Sequence, residues 1–103
     1  MLACMNATVP PDVIAERTLD YDDGQTVKPV TVRIHRPVQQ PRGEWACLLE
    51  IDGPRPHRRE WKGADSAGAL FNALRIAQFE LEGYGDQIKW RGDTPWIEIA
   101  PLA

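Results

Sequence analysis

A single bounded helix constrains this chain more than any other feature. It spans Asp65 to about Gly83 and arrives after four strand-like segments. Gly63 and Ala64 break the strand before it, and Asp65 or Ser66 can offer a side-chain oxygen to the free backbone N–H groups of the first turn. Ala67, Leu70, Phe71, Leu74, Ala77 and Leu81 then recur at spacings of three and four, with Ala69, Ala73 and Ile76 widening the stripe, so one face is buried. Asn72, Arg75 and Glu82 lie opposite, and Gly83 followed by Gly85 provides the positive-φ residue on which helices end. Phe79 breaks the pattern. At 100° per residue it falls roughly 180° from Leu70, among the polar positions, where it is either covered by a loop or the C-terminal tail or makes a contact with a second chain.

The segments before the helix read as an antiparallel meander. Val13 to Tyr21 ends at Asp22-Asp23-Gly24, a hairpin signal because Asp and Gly tolerate positive φ. Val27 to Arg36 alternates, with Val30, Val32 and Ile34 on one face and Thr31, Arg33 and His35 on the other, and stops at Pro37. A turn through Gln39, Gln40, Pro41, Arg42 and Gly43 leads into Glu44 to Asp52, whose apolar face carries Trp45, Cys47, Leu49 and Ile51. Gly53, Pro54 and Pro56 interrupt again before His57 to Lys62, a fourth strand expected at an edge from its prolines and charges. Ile88 to Trp90 and Trp96 to Ile99 are short extended pieces. The expected fold is α+β, an antiparallel sheet of about four strands with one long helix on one face and short C-terminal extended segments.

A chain of 103 residues has room for one core. It divides into a loose leader over residues 1–12, ending at Pro10 and Pro11, and a single domain over 13–103. The hydrophobic fraction of 43% beside 26% charged residues is that of a folded, water-facing domain, and a net charge of -3 gives no global attraction to nucleic acid or anionic lipid. Cys4 and Cys47 have no CxxC partner and read as reduced thiols. No basic n-region precedes an apolar segment, and no stretch approaches the roughly 18 apolar residues of a membrane span. Cytoplasmic residence without membrane association is the expectation.

One helix covers one face of such a sheet. The opposite face carries Glu16, Thr18, Asp20, Thr31, Arg33, His35, Ala46, Leu48 and Glu50, a polar field with a small apolar spot at Ala46 and Leu48. The register that buries Leu19 and Tyr21 also turns Arg17 inward, so Arg17 is expected at the sheet margin with its stem buried and its head exposed or paired.

Ile14-Ala15-Glu16-Arg17-Thr18-Leu19, the Val30 to Pro37 strand, Trp45-Ala46-Cys47, Gly63-Ala64-Asp65-Ser66 before an Ala/Leu-rich helix, and Ile88-Lys89-Trp90 give the chain a resemblance. From about Ile14 to Trp90 it resembles a bacterial family of small uncharacterised α+β domains of unknown function. The resemblance implies a fold and carries no catalytic signature.

The individual motifs point away from catalysis. Asp20, Asp22, Asp23 and Gly24 fail as a calcium loop, because Gly24 at the sixth position puts Leu19 and Tyr21 where ligands belong. His35 and His57 form no HxxxH-type pair and are flanked by arginine, which suits surface histidines better than a metal or acid–base site. Cys47, on an inward strand position, lacks the exposed electropositive setting of a reactive thiolate. No phosphate loop, GxSxG elbow or dinucleotide fingerprint occurs, so no catalytic residue, metal ligand or cofactor is assigned.

The segment that stands out is Arg55, His57, Arg58, Arg59 and Lys62 around Trp61. Guanidinium forks and an aromatic platform can hold an anion or an acidic partner, while the same charges also protect an edge strand from aggregation. The candidate binding residues are therefore Arg55, His57, Arg58, Arg59, Trp61 and Lys62, with Leu48, Phe79 and Trp96 as candidate interface positions. Arg91-Gly92-Asp93 is read as a turn. The sequence favours a non-catalytic binding or interaction module for an acidic protein partner or anionic ligand, with specific nucleic-acid binding disfavoured. A homodimer through the open sheet face or the edge strand is compatible with it. The alternative is a small enzyme or small-molecule-binding protein with its site between the sheet and the C-terminal tail.

Overall fold

A computed structural model describes residues 12–90. The strands are β1 (Val13–Asp22), β2 (Val27–His35), β3 (Val38–Gln39), β4 (Trp45–Asp52), β5 (His57–Gly63) and β6 (Ile88–Lys89), and the helix α1 (Ser66–Glu82) lies between β5 and β6. All pairings are antiparallel. The fold is the expected α+β sheet with one helix. It has six strands, because the chain between Pro37 and the Gly43 turn adds a two-residue strand beside β4 and Ile88–Lys89 pairs with β1 at Asp20 and Tyr21.

Local chemistry explains the boundaries. At the β1–β2 turn the Asp22 carboxylate accepts from Gly24 N at 2.9 Å, and Asp23 Oδ1 accepts from Gln25 N and Thr26 N at 2.8 Å each, while Gly24 takes a φ of 95°. Backbone bonds from Thr26 first and Gln25 second hold the Asp23 carboxyl below its ordinary value. The helix starts at Asp65, whose side chain accepts from Gly68 N at 2.7 Å. At the other end Gly83 stays in the right-handed region, and it is Gly85 that takes the positive φ, 68°.

The core lies between α1 and the face of the sheet formed by Leu19, Val30, Val32, Ile34, Cys47, Leu49 and Ile51, all nearly sealed from solvent. The helix presses on it with Ala69, Ala73, Ala77 and Leu81. This centre is shifted from the one the large apolar residues suggest. Leu70, Leu74 and Ile76 are half-buried at the flanks, and Ala67 and Phe71 are exposed. Small residues at every fourth position let the helix axis approach the sheet closely, so the direct contact is made by alanine, which larger side chains would hold off.

Gly63 makes that approach feasible at the β5–α1 junction. A Cβ there would lie 2.2 Å from Ala69 N and 2.5 Å from the Gly68 carbonyl carbon. At the β1 side the core is closed by Tyr84, edge-on to Tyr21 with ring centroids 5.1 Å apart, and by Ile88. Arg17 lies inward as expected, half-buried, with its guanidinium 3.8 Å over the Trp90 ring.

Candidate functional site

Strand β5 alternates, and the alternation divides the basic segment. The register with β4 pairs Cys47 with Trp61, Leu49 with Arg59 and Ile51 with His57, which puts His57, Arg59 and Trp61 on the helix side of the sheet. Arg58, Glu60 and Lys62 point to the open face. Both cations there have internal carboxylate partners, Arg58 with Glu50 and Lys62 with Glu44 at 3.9 Å. Arg55, in the turn before β5, serves the helix terminus: its Nη1 donates to the Gly83 carbonyl at 2.7 Å and its backbone N–H donates to the Tyr84 hydroxyl at 3.0 Å. A side chain on Gly83 would meet that guanidinium at 3.0 Å.

What remains together is a smaller group on the helix side. The Arg59 guanidinium stands 4.6 Å over the Trp61 ring, in the range of a cation–π contact. The His57 ring stacks on the same indole, 6.0 Å between centroids and 7° between planes, and Trp61 Nε1 donates to His57 Nε2 at 3.3 Å. Trp61 packs its inner side on the core. Among the described residues Arg59 is an exposed arginine with no carboxylate within ion-pair distance.

The outer edge of β5 lies beside this group. The Lys62 carbonyl accepts from Asn72 Nδ2 of α1 at 2.7 Å. On the far side of β4, Gln40 N donates to the Glu44 carbonyl at 2.7 Å, so even-numbered residues of β4 face β3 and β2, and odd-numbered ones face β5. Antiparallel alternation then turns the backbone N–H and C=O groups of Arg58 and Glu60 outward. Two links fix α1 antiparallel above this strand, Asn72 to Lys62 at one end and Gly83 to Arg55 at the other. Phe79 comes seven residues after Asn72, two turns along, and thus stands on the flank of α1 that overlooks the β5 edge. It is 67% exposed.

The open face is a charged lattice. Arg33 bridges Glu16, at 2.8 Å, and Asp52, and these bonds, Asp52 first, hold the guanidinium more firmly protonated than usual. His35 Nε2 and Glu50 Oε1 share a hydrogen bond of 2.5 Å, and Thr18 and Thr31 hydroxyls meet at 3.1 Å. Leu48 is half-buried there and Ala46 is sealed. Cys47 is a buried free thiol whose Sγ donates to the His35 carbonyl at 3.2 Å, and burial pushes its pKa up, the opposite of what a nucleophile requires. No group of three or more His, Cys, Asp or Glu among the described residues is placed to hold a metal ion, and no helix among them is long and apolar enough to cross a membrane.

Sequence reasoning missed the flank formed by Asn72, Ile76 and Phe79 over the β5 edge. The angular position of Phe79 was the available signal. Trp96, the Arg91-Gly92-Asp93 turn, Cys4 and the 1–11 part of the leader lie outside the described residues.

Fold and site together define a small α+β domain: one helix on an antiparallel sheet, with a cationic, aromatic-lined edge strand. The chain belongs to the family described as Domain of unknown function (DUF6968), whose model matches residues 15–98. Neither a curated protein nor a solved structure matches it.

Proposed function

We propose that the protein is a non-catalytic interaction module that docks an acidic or anionic partner beside β5, with Arg59 and Trp61 as the contact pair. The observation that carries this is the Arg59 guanidinium held 4.6 Å over the Trp61 ring with no carboxylate partner among the described residues. Arg55, Arg58 and Lys62 are engaged within the fold, so their share in docking is secondary. A stacked guanidinium keeps its N–H fork directed outward and loses little freedom when a carboxylate arrives. The buried free thiol of Cys47 suits a reducing, cytoplasmic setting.

The test is titration with poly-L-glutamate, followed by tryptophan fluorescence and calorimetry at low and at physiological salt. Arg59→Glu should weaken binding at least about tenfold, whereas Arg42→Glu, an exposed cation in the β3–β4 turn, should leave it within about twofold. Equal loss in both variants, or no loss in either, rules out a site at Arg59.

A further inference from the structure

The edge of β5 offers more than charge. The Arg58 and Glu60 backbone groups face outward, the Lys62 carbonyl is closed off by Asn72, and Pro56 supplies no N–H at the other end. The accepting stretch is therefore short and bounded. Above it runs the α1 flank of Asn72, half-buried Ile76 and exposed Phe79, and on its helix side lie Arg59 and Trp61. A strand edge that no other described strand pairs with, beneath an exposed apolar ring, is the arrangement that strand addition uses: main-chain bonds hold the incoming segment and flanking side chains select it.

We infer that β5 accepts an extended acidic polypeptide segment as an added strand, with main-chain bonds to Arg58 and Glu60 and an apolar side chain of the segment beneath Phe79. This rests on the acidic-partner reading above and specifies how that partner binds. Charge decides the occupant. β5 carries Arg58, Arg59 and Lys62 against the single carboxylate of Glu60; Arg58 and Lys62 are shared with Glu50 and Glu44, and Arg59 would oppose its own copy in a β5 pair centred on it, while an acidic segment complements it. Among the described residues no strand lies beneath exposed Phe79 on that flank, and an added strand would give its ring a surface to cover.

The experiment uses blocked seven-residue peptides that combine Glu with Leu or Phe, in alternating and in Glu-Glu-Leu order, titrated into the ¹⁵N-labelled protein. Each has two counterparts, N-methylated on one or the other set of alternate amides, which keeps its charge and removes the donors along one edge. Expected are binding by at least one peptide, a loss of about tenfold or more on methylation of one of the two amide sets, and a similar loss in Phe79→Ser, whose exposed position leaves the fold intact by circular dichroism. Equal affinity of plain and both methylated peptides overturns strand addition but leaves charge docking at Arg59 standing. Failure of every peptide, with poly-L-glutamate still bound in an Arg59-dependent way, overturns it likewise. So does a dimer that protects the Arg58 and Glu60 amides without peptide, or tighter binding of a single-stranded oligonucleotide at the same residues.

Discussion

At Gly63 the absence of a side chain is a packing requirement. The backbone of Gly68 and Ala69 occupies the space a Cβ would need, and backbone cannot swing aside as the end of a side chain can. Gly63→Ala should lower stability by about 2 kcal/mol or more in urea unfolding, while Gly24→Ala, strained by its positive φ but with open space around it, should cost about 1 kcal/mol. Asp23 contributes through its charge. Its folded pKa is lowered by the Thr26 and Gln25 amides, so its contribution is fully present above the ordinary carboxylate pKa and is lost as pH falls through the depressed folded value. Asp23→Asn should therefore flatten the acid side of the stability–pH curve relative to the wild type, with no change in slope near neutrality. Thermal melts at stepped pH check this.

At the scale of elements, the ends of α1 were legible and its buried face was not fully so. Asp65 and the glycines mark the boundaries by local chemistry that needs no tertiary context. The buried face was drawn toward Phe71 and Leu70 because they are large, whereas close packing on a sheet selects Ala69, Ala73 and Ala77. The division of the basic segment follows from period-two alternation once β5 is accepted as a strand. The grip of Arg55 on Gly83 was hidden, since it depends on where the helix returns in space. That grip has a measurable consequence: Arg55→Ala should destabilise by about 1 kcal/mol, and Arg59→Ala, exposed and without an ion-pair partner, should stay within about 0.5 kcal/mol. Opposite rankings in denaturant unfolding would mean that Arg59, and not Arg55, is the arginine that holds the fold.

On the scale of the whole molecule, one helix covers one face of a six-stranded sheet, and on the other face Arg33 is paired with Glu16 and Asp52, and Glu50 with His35 and Arg58. Cations already paired have less to offer a partner than the strip where α1 overlooks β5, which holds a guanidinium without a carboxylate partner among the described residues, an indole and an exposed phenylalanine. The sheet face and the helix stripe were visible in residue order, but this strip joins positions from two elements, Arg59 and Phe79, and only the antiparallel seat of the helix brings them together. Backbone amide exchange on the ¹⁵N-labelled protein, alone and with the Glu/Leu peptide, tests that strip most directly. The expected result is rapid exchange at Arg58 and Glu60 in the free protein and slowed exchange at both with peptide, beside a shifted Phe79 signal. Protection confined to the open-face residues around Thr31 and Leu48, or amides of Arg58 and Glu60 already protected in the free monomer, would contradict it.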